Sequence, residues 1–219
     1  MGFSLSRVAT VIFDVDGTLI DSNAAHAETW AQALAEHGFP RDVAQVRPLI
    51  GMGSDKLLPT LGLREGSPIG NAVARRKKEL FAERRPGLEP TRGAGALVSF
   101  LRERQKTLVI ATSADEEEMD ALLEQAGVSD LIPRRTSSDD AARSKPDPDI
   151  VVAALQRSGS RPADAVMIGD TPYDVEAARR ADIRAIALRS GGYWSERDLG
   201  SAVAIFDDPA DLLANWQRG

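Results

Sequence analysis

The 219-residue sequence predicts an α/β fold: a parallel β-sheet covered by helices, interrupted by an all-helical insertion. Two observations carry this expectation. Apolar, β-branched runs recur at 8–13, 108–111, 165–168, 183–188 and 202–206, with helix-patterned stretches between most of them. Residues 22–87, by contrast, contain several helical patterns and no convincing strand.

The first run, 8–13, ends abruptly in Asp14, Val15 and Asp16, followed by a turn at Gly17. Chain then leaves the sheet. Residues 24–36 read as a helix closed by Gly38 and Pro40, and the edges of the insertion fall near Asp21-Ser22 and Pro86-Gly87-Leu88, where Ser, Pro and Gly supply a pair of hinges. The expected division is a core of 1–21 and 88–219 with a helical cap at 22–87. A unit inserted directly after the two acids would hang over their cleft, exclude water and choose substrates; dimerisation or simple stabilisation is the competing role. After the second strand, at 108–111, a helix over 116–126 places Met119, Leu122, Leu123 and Ala126 on one stripe, opens with three glutamates and stops at Gly127. A short strand at 131–135 suits only a sheet edge because of Pro133. Helices at 149–157, 173–181 and 209–216 complete the alternation.

Composition narrows the chemistry. With no cysteine and two histidines, the chain offers no disulfides, thiolate nucleophile or Cys-ligated metal, and a His-rich zinc site is not expected. Any metal must be held by oxygen. A net charge of -6 argues against nucleic acid or an anionic membrane as the main partner. No stretch approaches membrane-spanning length and the N-terminus lacks a secretory pattern, so a soluble cytoplasmic protein is expected. Gly2 and Ser6 fit a myristoylation pattern, which is set aside because no polybasic patch or second acyl site reinforces it. The run Arg75-Arg76-Lys77-Lys78, followed by Glu79 and Glu83, reads as a solvated helix face.

The acids at the end of the first strand carry the functional argument. Period-two alternation sends Asp14 and Asp16 to one side, where two close carboxylates repel each other and one pKa rises. A divalent cation relieves that repulsion, and so does a division of labour in which one acid attacks while the other shuttles a proton. Three more features sit at expected strand ends, where ligands bind open α/β sheets. Thr112 and Ser113 follow the second strand and suit phosphoryl oxygens, or simple helix capping. Lys145, stiffened by Pro146 and Pro148, offers a compact positive charge to phosphate, or to solvent. Asp170 ends the run 166–169, and Asp174 follows at a helix start, which either aspartate could merely cap.

The order, spacing and shared strand-end setting of these features resemble the haloacid dehalogenase-like hydrolase superfamily over nearly the whole chain, in the capped subfamily I that includes phosphoglycolate phosphatases and β-phosphoglucomutase-like enzymes. Asp14-Val15-Asp16-Gly17-Thr18 is similar to the first family motif, Thr112 to the second, Lys145 to the third, and Gly169-Asp170-Thr171-Pro172-Tyr173-Asp174 to the fourth. The insertion resembles the first type of family cap, and Ser190-Gly191-Gly192-Tyr193 occupies the place of a Gly-containing loop. The resemblance implies a Rossmann-like core and a magnesium-dependent phosphatase acting on a small phosphorylated metabolite, phosphoglycolate-like or sugar-phosphate-like, as a monomer or homodimer. It makes Asp14 the nucleophile that forms an aspartyl-phosphate. Asp16 becomes the general acid and base, a role aided by a raised pKa. Gly17, Thr112, Ser113 and Lys145 hold the phosphoryl group; Asp14, the Asp16 carbonyl and Asp170 hold Mg2+, with Asp174 contacting it through water or orienting Asp170. In the cap, His26 either faces the active site or packs on a helix, and Arg47 and Gly51 belong to a loop that meets the substrate, Arg47 contacting an anion; a surface arginine and a turn glycine would look the same.

Asp16 sets the chain apart from dehalogenases and phosphonatases, whose chemistry protonates no alkoxide leaving group. A β-phosphoglucomutase-like phosphomutase shares both acids, but usually has Glu-Asp in the fourth motif and an arginine after the glycine of the cap loop; here these are Gly169-Asp170 and Gly53-Ser54. The mutase remains the alternative. A noncatalytic phosphate-binding scaffold is the other, and it would need neither Asp14 nor Asp16.

Overall fold

Alternation along the strands decides which layer each residue meets. In the computed structural model, which describes residues 5–217 and so leaves Gly2 outside the described residues, β1 (Thr10–Phe13) sends Val11 and Phe13 into one apolar cluster and Ile12 into another. Leu108 and Ile110 of β2 (Thr107–Ala111), and Val166 and Ile168 of β4 (Ala165–Gly169), join the first cluster, while Val109, Ala111 and Met167 join the second. A sheet apolar on both faces must be covered on both.

Among the described residues, six parallel strands form one sheet in the order β3-β2-β1-β4-β5-β6. β3 (Arg134–Thr136) lies at one edge, β5 (Arg184–Leu188) is internal, and β6 (Ala204–Phe206) lies at the other edge. The expected edge strand begins just after Pro133, which has no N–H to donate, and Leu131 belongs to a short 3-10 turn instead. Helices α5 (Ala94–Glu103), α6 (Glu116–Gln125) and α9 (Pro209–Trp216) cover one face, contributing Leu97, Leu101, Leu122, Leu212 and Trp216. On the other, α7 (Asp149–Ser158) and α8 (Pro172–Arg180) bury Ile150, Val151, Ala154, Val175 and Ala178. No helix among the described residues is long and apolar enough to cross a membrane.

Between β1 and β2 the chain forms α1 (Asn23–Glu36), α2 (Val43–Val46), α3 (Ser54–Thr60) and α4 (Pro68–Arg84). These helices share an apolar cluster of their own, including Trp30, Leu34, Leu57, Leu58 and Val73. The two connections to the sheet run side by side: Asp21 N–H donates to the Glu89 carbonyl at 2.9 Å and Thr91 N–H to the Leu19 carbonyl at 3.1 Å. Asp14, Thr112 and Asp170 directly follow β1, β2 and β4, which are neighbours in the sheet. Two aspartates and a threonine therefore emerge together at the C-terminal ends of neighbouring parallel strands.

Candidate active site

Asp14 is seated by the sheet itself, since its N–H donates to the Ile168 carbonyl at 2.9 Å, beside the end of β4. Lys145 reaches it from the loop before α7: its fully buried ammonium lies 2.5 Å from Asp14 Oδ1 and 2.8 Å from Asp174 Oδ1. The contact with Asp174 is a buried ion pair. Asp174 Oδ2 accepts from Thr171 N–H at 3.1 Å and from Thr171 Oγ1 at 2.6 Å, in the capping box that starts α8. Thus Asp174 caps its helix with one oxygen and faces the site with the other.

Asp14, Asp170 and Asp174 are all buried, and each places one carboxylate oxygen within 4.8 Å of the others. Three acids face the single Lys145. Burial, then repulsion from Asp174 and Asp16, raises the Asp14 pKa to about 7 despite the opposing pull of Lys145. Asp170 is raised well above the usual carboxylate range by burial, then by Asp14 and Asp174. Burial works against the charge on Lys145, but Asp14 and Asp174 outweigh it and raise its pKa. Excess buried negative charge presented by oxygen donors alone fits a hard divalent cation such as Mg2+.

The Asp16 pKa moves down, where a raised value would aid the expected proton donor. Burial tends to raise its pKa, but His26, through its charge and hydrogen bond, together with Ser22 and Lys77, holds it down to about 2. Ser22 Oγ donates to Asp16 Oδ1 at 2.5 Å, and His26 Nε2 lies 2.8 Å from the same oxygen. The imidazole stacks on Phe81 with ring centroids 3.9 Å apart. His26 therefore faces the acid and packs on a helix at once, so the two roles open to it in the sequence are compatible.

Residues 8–182 match the family described as haloacid dehalogenase-like hydrolase. The chain belongs to the haloacid dehalogenase-like hydrolases. It is 35% identical over 218 residues to a phosphoglycolate phosphatase of Rhodospirillum rubrum, covering 94% of this chain and 89% of that one. It is also 25% identical over 185 residues to a fructose-1-phosphate phosphatase of Escherichia coli, covering 84% and 97%. A solved hydrolase from Pseudomonas syringae superposes with a TM-score of 0.90 at 26% identity, over 96% of this chain and 98% of that one.

In this hydrolase, the two acids of the first strand open on a cavity of about 390 Å³ whose wall includes His26, Trp30, Gly51 and Lys77 from the insertion and Ser113 from the sheet side. Gly51 has a φ of 106°, and a Cβ there would lie 2.8 Å from Thr171 Cγ2, so only glycine brings this loop against the start of α8. Its carbonyl accepts from Ser113 Oγ at 3.2 Å, which engages the hydroxyl expected to meet phosphate. Thr112, buried at the end of β2, accepts at Oγ1 from Ala114 N–H at 3.1 Å. Gly17 turns the chain with a φ of 73°, and its carbonyl accepts from Ser190 Oγ at 2.6 Å.

Arg47 is not among the residues that line this cavity; its Nη2 donates to the Gly191 carbonyl at 2.8 Å, fastening the insertion to the loop after β5. Lys77 departs from the expected solvated face. It is buried, 3.3 Å from both carboxylate oxygens of Glu118 and 4.7 Å over the Phe81 ring. Its spacing carried a signal, because Lys77 lies on the stripe of Val73, Leu80 and Phe81, and a charge on an apolar stripe implies a buried partner. Asn23, whose Nδ2 donates to Asp170 Oδ2 at 2.7 Å, was not anticipated; nothing in its local sequence distinguishes it from an ordinary helix start.

Proposed function

We propose that this hydrolase is a Mg2+-dependent phosphatase of small phosphomonoesters, phosphoglycolate-like or sugar-phosphate-like, working through an aspartyl-phosphate on Asp14. The observation that carries the reading is Asp14 itself: a buried carboxylate held against Lys145, beside two further acids and open to a cavity that also contains Asp16.

In this reading, Asp14 attacks phosphorus and takes the phosphoryl group, while the alkoxide departs toward Asp16 and receives a proton there. The pair formed by Asp16 and His26 supplies that proton and later accepts one from the attacking water, restoring the starting state. Lys145 and the backbone around Thr112 present positive charge and donors to the transferring oxygens, where transition-state stabilisation is usually largest. Asp14, Asp170 and Asp174, with the Asp16 carbonyl, would hold the cation. Bound there, Mg2+ neutralises acidic charge and polarises phosphoryl oxygen. Residues 22–87 act as the cap, closing over the cavity and excluding water, with 1–21 and 88–219 as the catalytic core.

The phosphomutase reading loses support from Gly169. A Cβ at this position would lie 2.5 Å from the Asp174 side chain, so the glutamate usual in mutases does not fit this backbone. The test is phosphate release from a panel of small phosphomonoesters with Mg2+, with chelation and Asp14→Asn as controls. The phosphatase yields free phosphate that both controls abolish, by at least about 10⁴-fold for Asp14→Asn. An isomeric phosphate ester as product would establish a mutase. No turnover, together with biological activity that survives Asp14→Asn, would establish a scaffold.

A further inference from the structure

The helical insertion touches the acidic centre directly at Asn23, the first residue of α1. The side chain is buried, and its Nδ2 donates to Asp170 Oδ2 at 2.7 Å. The pair sits in a slot walled by glycine. A Cβ on Gly17 would lie 2.3 Å from Asn23 Nδ2 and 2.4 Å from Asp170 Oδ2; one on Gly191 would lie 2.7 Å and 1.8 Å from the same atoms. Both loops thus give up side chains where they would displace this bond, and the slot keeps the bond out of water. Asn23 Oδ1, by contrast, has no hydrogen-bond partner. A buried amide with an unmet acceptor is a poor choice for packing alone, since an apolar side chain would avoid the cost. The useful end of the amide is the end that holds Asp170.

We propose that Asn23 is a positioning residue that orients the Asp170 carboxylate for a divalent cation and thereby couples occupation of the acidic centre to closure of the helical insertion. The inference rests on the metal site of the proposed phosphatase. Partners that orient metal ligands commonly change affinity by about 10–100-fold when removed. Because this partner belongs to the insertion, linkage makes the effect reciprocal: the closed insertion tightens Mg2+ binding, and Mg2+ favours the closed insertion. Other bonds also hold the insertion closed, including Lys56 Nζ to Asp147 Oδ2 at 2.5 Å, but that one does not touch the acidic cluster.

The test compares wild type, Asn23→Ala and Lys56→Met by titration calorimetry with Mg2+ and by small-angle X-ray scattering with and without Mg2+. Asn23→Ala is expected to weaken Mg2+ about tenfold and to lose the Mg2+-induced compaction of wild type; Lys56→Met, which loosens the insertion without freeing Asp170, is expected to weaken Mg2+ by no more than about threefold. Equal Mg2+ affinity in Asn23→Ala and wild type, or an equal loss in both variants, would overturn the proposal. Should Asn23→Ala fold poorly, Asn23→Ser replaces it under the same criteria. A wild type that binds Mg2+ but turns over no phosphoester, with Asn23→Ala tenfold weaker, would sink the phosphatase reading and leave this inference standing. A wild type that binds no Mg2+ would sink both.

Discussion

His26 Nε2 lies 2.8 Å from Asp16 Oδ1, so the first helix of the insertion returns to the acid that the first strand left exposed. With Asp16 held down to about 2, the proposed reaction draws the leaving group's proton through this hydrogen-bonded pair. His26→Ala is expected to lower kcat about 100-fold for alkyl phosphates and much less for p-nitrophenyl phosphate, whose leaving group needs no proton. Equal losses for both would remove His26 from proton transfer.

Lys145 is the only cation against Asp14 and Asp174 in the described contacts, and all three are buried. Lys145→Met is expected to destabilise the metal-free protein by about 3 kcal/mol at pH 8. The loss should shrink at pH 5, where Asp14 and its neighbours can take up protons in place of the missing ammonium. Urea unfolding of both proteins at the two pH values checks this. A pH-independent difference would mean that the ammonium does not balance these acids.

The raised Asp14 pKa gives Mg2+ binding a defined pH dependence. An unfolded aspartate ionises near 3.8 and Asp14 near 7, so the metal-free native state binds more protons across that interval and loses stability as pH rises through it. Asp16, held near 2, keeps its charge throughout the same window. Mg2+ competes with the protons that Asp14 and Asp170 retain, so its apparent affinity should rise with pH, by at least about tenfold per unit below 7, and more gently once Asp14 is ionised. Calorimetric titrations from pH 5.5 to 8.5, in about unit steps, would show the break; a flat profile would contradict the assignment.

Lys77 and Glu118 form a largely buried pair between α4 and α6, at the seam between insertion and sheet. Lys77→Met alone, or Glu118→Leu alone, leaves one charge buried and is expected to cost about 2 kcal/mol. The double variant should recover most of that loss. A double-variant cycle in urea measures the coupling, and additive losses would show that the two side chains act independently.

The strand-end chemistry was readable because it lies in contiguous stretches of chain. An apolar run that stops at Asp14, another at Thr112 and another at Asp170 each state their own place, since period-two burial and a parallel sheet leave few alternatives. The helical insertion was readable for a related reason: helix periodicity is local. Helix α5 has no counterpart among the expected elements although Ala94, Leu97, Val98 and Leu101 follow helical spacing, and its buried stripe completes one face of the sheet.

Sequence alone determined the α/β class, the helical insertion and the residues that meet at the strand ends. Tertiary structure decided how those residues differ. Asp14 and Asp16 are near neighbours in the chain, yet one is raised to about 7 and the other lowered to about 2. The cause is what folding brings up: at Asp14 burial and the distant Asp174 outweigh the pull of Lys145, and at Asp16 burial is outweighed by His26, Ser22 and Lys77. The same holds for Asn23 against Asp170 and for Arg47 turned toward Gly191. Electrostatic energies depend on distance through space and on exclusion of water, and neither is a property of position along the chain.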